Sequence, residues 1–310
     1  MIYLVMCGRL GNQLFQYSFA RQIQSITGQE LAIDFTAINN VNKSDWRNYL
    51  EEYNVSEYRI VGKNDYFPIQ RIVYRLLRMI RPRKDEKKQY IFDEIVSKVL
   101  VRYGIIYYES NYQYHKFINI KSRDIIIRGW FESEKYFENI SHILKTELIP
   151  KNISEKNRRL ADKLKHSQSI CLTVRRGNFT SENLRDKFLV CTQKYYSSAI
   201  EYIKKLYPES IVYVCSDDIE WCRRELNLPD PVIYEPSNEV TEKLYLMSQC
   251  EHFVLSNSTF SWWAQYLSFR TGNIVIAPSQ WRNSKLPPKD IYSDKWILMD
   301  ATGKIQKFTK

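Results

Sequence analysis

The sequence is poor in glycine and lacks the common motifs of metal, thiol and P-loop chemistry. It has nine Gly among 310 residues, so each glycine in a turn is informative. Its six Cys form no CxxC pair, and its four His do not stand at metal-ligand spacings. It also has no HExxH motif, no Walker A loop and no Ser-His-Asp order. These absences argue against zinc-protease, P-loop and serine-hydrolase chemistry.

Long apolar runs are missing as well. None reaches the length that spans a bilayer, and the first residues do not resemble a signal peptide. The cysteines fall mostly in apolar runs typical of small, reduced core residues. They are Cys7, Cys171, Cys191, Cys215, Cys222 and Cys250. We therefore expect a cytoplasmic protein that is soluble or peripheral on a membrane.

Positive charge is in excess. The net charge of +11 indicates an anionic partner: nucleic acid, nucleotide-sugar phosphates or an acidic membrane surface. Residues 71–88 hold eight basic and two acidic side chains, a local charge of +6. Apolar residues recur at helical spacing over 69–81, namely Ile69, Ile72, Val73, Leu76, Leu77 and Ile80. The pattern predicts a helix, either packed on the core with a solvated basic face or lying on an anionic bilayer.

Strand-like and helix-like segments alternate through both halves of the chain, which predicts an α/β fold with parallel sheets. An apolar run at 2–6 is followed by a helical pattern at about 12–27, and the last clear strand is predicted at 273–277. A charged segment, 151–165, separates the halves. We predict an N-terminal α/β domain over 1–150 on the acceptor side and a C-terminal Rossmann-like, nucleotide-sugar-binding domain over 151–310.

Polar residues of the first half lie where strands end, the ligand-binding edge of a parallel sheet. Gly8-Arg9-Leu10-Gly11-Asn12-Gln13 follows the first strand, and Asp34 ends the second. Two glycines let the backbone approach a ligand, and the next helix N-terminus favours anionic or polar groups. The spacing does not match the dinucleotide motif GxGxxG. An ordinary strand-to-helix turn is the alternative interpretation.

Three polar clusters end strands of the second half. Arg175-Arg176 offers guanidinium groups suited to a diphosphate, or forms a solvated surface pair. Ser216-Asp217-Asp218 can bind a ribose or guanine, form a weak DxD-like metal site, or cap a helix. Ser256–Ser261 supplies more hydroxyls than a helix cap needs. Together the clusters fit a nucleoside diphosphate and point to glycosyl transfer from a sugar nucleotide.

Five segments resemble, in order, the motifs of the bacterial α-1,2-fucosyltransferases of glycosyltransferase family 11, within the α-1,2/α-1,6/O-fucosyltransferase superfamily. Residues 8–17 match the signature GGLGNQMFQY, and residues 129–137 resemble GYxQSEKYF. Residues 216–221, 257–263 and 277–281 match the later motifs. The similarity spans roughly residues 1–283.

This resemblance implies a GT-B fold, with two Rossmann-like domains facing a cleft, and inverting transfer of L-fucose from GDP-fucose without a metal or other cofactor. The implied acceptor is the 2-hydroxyl of a galactoside in an oligosaccharide or lipid-linked glycan such as O-antigen. It also implies a bacterial protein, cytoplasmic or peripheral on the inner face of the inner membrane. Nucleic acid is not an expected partner.

The resemblance assigns roles to residues. Asn12 corresponds to a catalytically important asparagine, Arg175 to a phosphate-binding arginine, and Asp217 with Asp218 to guanosine recognition. We expect the donor to be bound by Gly8, Arg9, Gly11, Arg175, Arg176, Ser216, Asp217, Asp218, Asn257, Ser258, Thr259, Phe260 and Ser261.

The family motif HxRRxD is altered here, because Thr173 replaces the histidine and Asn178 the aspartate. Asn178 cannot act as a base, so Asp34, Glu134 or the β-phosphate is the candidate to accept the acceptor's proton. Two other hypotheses remain: a transferase using a different GDP-sugar, and a basic nucleic-acid-binding protein.

Overall fold

The computed structural model describes residues 1–62, 70–110, 113–117, 120, 122–236, 238–284 and 290–306. The side chains of Gln70, Arg71 and Asn178 lie outside this description, as does Ile69 of the predicted basic helix. Contacts divide the chain into two compact units. The first comprises Met1–Leu148 with Leu286–Ile291, and the second Ile149–Lys285 with Tyr292–Lys310. Of the segment 286–291 the structure describes Asp290 and Ile291, which group with the first unit, although the sequence interpretation assigned all of 151–310 to the second domain.

The first unit is built on a five-stranded parallel sheet in the order β3-β2-β1-β5-β4. Its strands are β1 (Ile2–Val5), β2 (Leu31–Asp34), β3 (Arg59–Ile60), β4 (Ile105–Tyr108) and β5 (Ile125–Gly129). Its helices are α1 (Leu10–Thr27), α2 (Thr36–Asn39), α3 (Gln70–Ile80), α4 (Glu86–Leu100) and α5 (Ser141–Glu147). The central strands are apolar because a parallel sheet is covered on both faces.

The second unit has a seven-stranded sheet in the order β12-β11-β10-β9-β6-β7-β8. Its strands are β6 (Ser169–Val174), β7 (Ile211–Ser216), β8 (Val232–Tyr234), β9 (His252–Val254), β10 (Val275–Pro278), β11 (Ile297–Met299) and β12 (Ile305–Gln306). Its helices are α6 (Glu155–His166), α7 (Glu182–Phe188), α8 (Gln193–Leu206), α9 (Ile219–Glu225), α10 (Val240–Ser248) and α11 (Thr259–Tyr266). The predicted α/β class is confirmed.

Two sequence expectations about the sheet of the second unit were wrong. β10 is not the last strand, because β11 pairs parallel to it and β12 follows. β12 runs antiparallel to β11, so the sheet is not wholly parallel. With three and two residues, these strands are too short to show a clear period.

The predicted helix over 69–81 exists as α3, but its apolar residues do not share one buried face. Leu77 is buried against the core and Val73 packs on it. Ile72, Leu76 and Ile80 are more than half exposed. The next helix, α4, was not predicted, because its apolar residues fall on two faces, one of which is exposed. Of the helices in the described residues, none is long and apolar enough to cross a bilayer.

Candidate functional site

The turn after β1 is held by two buried glutamines. Gly8 adopts φ +82°, and a Cβ there would lie 2.7 Å from Asn12 Nδ2, so only glycine fits. Gln13 donates to the carbonyls of Gly8 and Arg47 and accepts from the backbone N–H of Tyr49. Gln13 therefore shapes the turn rather than facing a ligand.

Gln16 holds the other side of the turn. Its Oε1 accepts a hydrogen bond from the Cys7 N–H, and its Nε2 donates one to the Cys7 carbonyl. The donor–acceptor distance is 2.9 Å in both bonds. Burial raises the pKa of the Cys7 thiol. The presence of Gln13 and Gln16 in the GRLGNQLFQY motif is thus explained by the hydrogen bonds that they make to buried backbone groups.

The other residues of the turn differ in exposure. Asn12 is half-buried on the first turn of α1, and Gly11 beside it is buried. Arg9 Nε lies 2.7 Å from the Asp45 carboxylate, with both side chains at least two-fifths exposed. Arg9 thus forms a surface ion pair. A sugar nucleotide would have to displace Asp45 in order to bind the Arg9 guanidinium.

The two candidate bases are in different environments. Asp34 ends β2 and is buried, and its Oδ1 accepts the N–H of Thr36 over 2.9 Å. Glu134 begins a short 3₁₀ helix and is exposed. Asp34 therefore occupies the more sheltered position at the carboxyl edge of the sheet.

The sequence interpretation missed a buried ion pair at this edge. Arg128 on β5 donates from Nε to Glu109 over 2.9 Å, and both side chains are less than one-fifth exposed. Arg128 Nη1 also approaches the Val5 carbonyl at the end of β1. The sequence around Glu109 does not indicate this ion pair, because Arg128 is 19 residues away.

A small pocket lies after β5. It is lined by Tyr108, Gln113, Phe131, Glu132, Ser133, Tyr136 and Asp290. The glutamate of the 129–137 motif that lines it is Glu132, which is buried, and not the predicted Glu134. Phe131 has a φ of +52°, and no sequence pattern predicts a positive φ for an aromatic residue.

In the second unit, the carboxyl ends of β6 and β7 bring Arg175 and Asp217 together. Arg175 Nη1 lies 2.7 Å from Asp217 Oδ2, with each side chain 25% exposed. Asp217 Oδ1 accepts the backbone N–H of Arg176 over 2.8 Å. A Cβ at Gly177 would lie 2.3 Å from Asp217 Oδ2, so glycine permits this approach. Both carboxylate oxygens are therefore engaged within the chain.

The next pair is formed by Arg176 and Asp218. Arg176 Nε is 3.3 Å from Asp218 Oδ2, and its guanidinium lies 4.0 Å from the centre of the Trp221 ring. Asp218 Oδ1 accepts the Trp221 N–H and caps α9, which is the alternative role considered from the sequence. Ser216 Oγ accepts the Asp218 N–H. The cluster is a preformed charge network.

The hydroxyl-rich turn before α11 separates into structural and accessible residues. Ser256 and Ser261 are buried and bind each other through their hydroxyls over 2.8 Å. Ser258 stands at the N-cap of α11, but its side chain makes no capping bond. Ser258, Thr259 and Phe260 are all half-buried. Of the predicted residues in the 257–261 segment, these three remain accessible to a ligand.

Asn257 has a structural role. Its Nδ2 donates to the carbonyls of Phe188 and Trp281, at 2.8 and 3.0 Å. Its Oδ1 accepts from Cys191 Sγ over 3.7 Å. The side chain is buried, so it fixes the loops around the turn rather than contacting a donor.

Thr173, which stands where the family motif has histidine, links β6 to β9. Its hydroxyl donates to the Val254 carbonyl over 3.1 Å and accepts the Ser256 N–H over 2.8 Å. Thr173 is buried and has no access to a ligand. Thr173 therefore fixes the backbone at the start of the turn before α11.

The arrangement suits an anion without a metal ion. Arg175 and Arg176 supply positive charge, and the N-terminus of α11, which follows the neighbouring strand β9, adds the positive end of a helix dipole on the same edge of the sheet. In the parts of the chain that the structure describes, no three His, Cys, Asp or Glu side chains form a candidate metal site. The absence of a metal requirement stays a prediction.

Known proteins resemble this chain in sequence and in fold. The family model described as Glycosyl transferase family 11 matches residues 1–300. An alpha-1,2-colitosyltransferase of Escherichia coli is 26% identical over 95% of this chain and 97% of its own. The O-antigen biosynthesis glycosyltransferase WbnK of Escherichia coli is 25% identical over 96% and 99%. The crystal structure of NodZ alpha-1,6-fucosyltransferase co-crystallized with GDP covers 98% of this chain and 97% of that one, with a TM-score of 0.55 at 15% identity. The last likeness supports the GT-B class of fold.

Proposed function

The chain belongs to glycosyltransferase family 11, and from that membership we propose that it transfers L-fucose from GDP-fucose to the 2-hydroxyl of a galactoside with inversion. Support comes from the motif resemblance and from the α-1,2 linkage named for the Escherichia coli colitosyltransferase. The second Escherichia coli relative is named for O-antigen biosynthesis, so the proposed acceptor is an oligosaccharide or lipid-linked glycan of that kind.

One observation carries the proposal: Arg175, paired with Asp217, follows β6, and the turn into α11 follows β9, the strand paired with β6. As the bond to fucose breaks, negative charge grows on the leaving GDP. A guanidinium and the positive end of a helix dipole stabilise that charge most when they are already in place. In this proposal Arg175 exchanges Asp217 for the diphosphate, and Ser258 and Thr259 lie on the same anion.

The acceptor hydroxyl must also lose its proton. We propose Asp34 for this role, because it is buried and because its bond from the Thr36 N–H uses Oδ1 and not Oδ2. Asn12, half-buried on the first turn of α1, is proposed to hold the sugar by hydrogen bonds. No metal ion takes part in this scheme.

A different donor sugar is the second candidate, favoured by the name of the Escherichia coli colitosyltransferase. The test is incubation of the protein with GDP-fucose, GDP-colitose, GDP-mannose and UDP-sugars over a panel of galactosides, with linkage analysis of the product. An α-1,2-fucosylated galactoside supports the proposal. Efficient turnover of another donor, with none of GDP-fucose, would replace it.

The basic segment 71–88 is proposed to contact an anionic membrane, as expected of a peripheral protein on the inner face of the inner membrane. α3 exposes Ile72, Leu76, Met79 and Ile80, and α4 exposes Ile91, Ile95 and Val99. Exposed Arg75 and Arg78 lie beside the α3 residues. An apolar stripe beside basic side chains fits the interface of an anionic bilayer.

Flotation with phosphatidylglycerol and phosphatidylcholine vesicles tests this contact. The double variant R75E/R78E should lose binding to anionic vesicles, whereas R159E/R223E, on exposed arginines of the second unit, should not. An equal loss of vesicle binding in both double variants would mean that binding depends on the net charge of the protein and not on this segment. Salt-sensitive binding to RNA with no vesicle binding would favour a nucleic-acid partner instead.

A further inference from the structure

We propose that Trp221 is a positioning residue for the sugar-nucleotide donor, because its ring holds the Arg176 guanidinium in place for the diphosphate. Trp221 is the last residue of the 216–221 motif, and the residues expected to bind the donor do not include it. The inference rests on the proposed transferase function and adds to it a residue that acts only through Arg176.

The first observation is the contact between the Trp221 ring and the Arg176 guanidinium. The guanidinium carbon lies over the ring, 4.0 Å from its centre. Tryptophan is the best aromatic partner for a cation, and the attraction is stronger where water is partly excluded. The Arg176 side chain is 24% exposed, so this contact is partly shielded from solvent. The ring therefore favours one position of a side chain that otherwise has many rotamers.

The second observation is that Asp218 holds the same guanidinium by its Nε group. Arg176 Nε lies 3.3 Å from Asp218 Oδ2. The other oxygen of this carboxylate, Oδ1, accepts the backbone N–H of Trp221 over 3.1 Å. Trp221 thus contacts the guanidinium with its ring and fixes the carboxylate with its main chain. A substitution at Trp221 that keeps the backbone N–H removes only the first of these two contacts.

The third observation is that the anchored guanidinium keeps hydrogen-bonding groups for a ligand. In the part of the chain that the structure describes, the bond from Nε is the only hydrogen bond of the Arg176 side chain. Nη1 and Nη2 carry the other four N–H groups, and such a fork matches the oxygens of a phosphate. Because Trp221 and Asp218 already restrict the side chain, less conformational entropy is lost when an anion binds.

The main chain of Arg176 places these groups next to the other arginine of the pair. Its N–H donates to Asp217 Oδ1 over 2.8 Å, and Asp217 Oδ2 pairs with Arg175. Both arginines are thus held at the carboxyl edge of the sheet by neighbouring carboxylates. Arg176 differs in having an aromatic ring 4.0 Å away in addition to its carboxylate. Removal of that ring should therefore weaken the binding of a diphosphate without changing the pair formed by Arg175.

The same helix provides a matched control. Arg223, on α9 like Trp221, lies over the Tyr234 ring at 3.9 Å from its centre. Its side chain is 50% exposed and pairs with Glu220, which is itself 85% exposed. The variant Y234L therefore removes an arginine–aromatic contact of the same length in the same unit, but not the one that holds Arg176.

The test is a double-mutant cycle on the affinity for GDP, measured by calorimetry with W221L, R176A and W221L/R176A. We expect W221L to raise the Kd for GDP about tenfold, which corresponds to about 1.4 kcal/mol. R176A should raise it at least as much. The double variant should match R176A within about twofold, because the ring acts through the guanidinium. Y234L should bind GDP as the wild type does.

A conservative variant adds a second readout. W221F keeps an aromatic face and should recover most of the affinity that W221L loses. If W221L does not fold, W221M replaces it in the cycle, because it also removes the ring. Losses that multiply in the double variant would mean that Trp221 acts independently of Arg176 and would overturn the inference. A Kd for W221L within about twofold of the wild-type value would overturn it as well.

GDP binding involves neither the transferred sugar nor the acceptor, so the cycle is distinct from the test of the proposed function. A protein that gives the expected cycle but transfers no fucose would contradict the proposed donor sugar alone. Fucose transfer together with multiplied losses in the cycle would contradict the role of Trp221 alone.

Discussion

Arg175 and Asp217 form a 2.7 Å ion pair between the ends of two neighbouring strands, β6 and β7. The pair keeps the guanidinium extended along the sheet edge, where Asp217 is itself fixed by the Arg176 N–H. In the proposed reaction, the diphosphate replaces one carboxylate as the partner of this guanidinium. Preorganisation of this kind reduces the rearrangement needed as charge develops.

The first prediction concerns Arg175→Ala. Removing the guanidinium should lower kcat/KM for the donor by about 10²–10³-fold, because about 2.7–4 kcal/mol of transition-state stabilisation is typical of one such donor. Steady-state kinetics with varied GDP-fucose measure it. Arg159→Ala, an exposed arginine of α6, should leave the kinetics unchanged. Wild-type kinetics in R175A would remove Arg175 from phosphate binding.

The second prediction separates two neighbours in the turn after β1. Gln13→Ala deletes three hydrogen bonds, two of them buried, and should lower the unfolding free energy by about 1–3 kcal/mol. Asn12→Ala should instead lower kcat with little change in Tm, because Asn12 is half-buried and the Gln13 bonds remain. Thermal denaturation and turnover of both variants give the comparison. Equal losses of Tm would make Asn12 structural.

The third prediction concerns the proton acceptor. With GDP-fucose saturating, Asp34→Asn should reduce turnover about 100-fold, within the range for loss of a general base. Glu134→Gln should change turnover less than about threefold, since Glu134 is exposed at the start of a short 3₁₀ helix. If neither variant loses about 100-fold, no side-chain base of this kind operates, and the β-phosphate becomes the acceptor of the proton.

The fourth prediction is a pH dependence of stability. Buried His252 accepts the Ile274 N–H at Nδ1 over 3.1 Å, and burial lowers its pKa below 6.5. Arg270 lowers this pKa further, while Glu251 opposes the shift. Below about pH 6.5 the unfolded chain therefore binds a proton that the folded chain does not. The unfolding free energy contributed by this histidine falls as pH decreases from that value towards the folded pKa.

His252→Asn keeps an acceptor for the Ile274 N–H and removes the titration. Its Tm should fall less than that of the wild type between about pH 7 and 5. His142→Asn, at an exposed histidine of α5, is the control and should keep the wild-type slope. Identical slopes for H252N and the wild type would mean that His252 does not contribute.

The fifth prediction concerns metal. Treatment with EDTA should leave kcat unchanged, because in the proposed scheme the arginines and backbone N–H groups carry the charge stabilisation. Activity is measured before and after chelation and after addition of Mn²⁺. A loss restored by Mn²⁺ would support the DxD-like metal site at Asp217 and Asp218.

Some of the site follows from the sequence by one rule. Parallel strands end at one edge of a sheet, so the polar residues after β6 and β7 were expected to meet, and Arg175 does meet Asp217. Asp218 also takes the capping role that its position before a helix suggests. Local spacing was sufficient in both cases.

Other parts of the site depend on distant partners or on single dihedral angles. The pocket beside Glu132 is lined by Phe131, whose φ is left-handed, and by Asp290, which accepts the Tyr114 N–H from 176 residues away. The exposed side of α3 could not be separated from its buried side, because both carry apolar residues at helical spacing. The hydrophobic period of a helix shows that it has an apolar face. Only the element that packs against the helix determines which residues are buried.

Asn257 has a consequence for the evolution of this chain. One side chain binds Phe188, Cys191 and Trp281, which belong to segments on either side of it in sequence. A change of length or direction in any of these segments would displace the start of α11. We therefore expect natural variation at Asn257 to be accompanied by compensating changes in the other two segments, so that these parts covary as a unit among homologues.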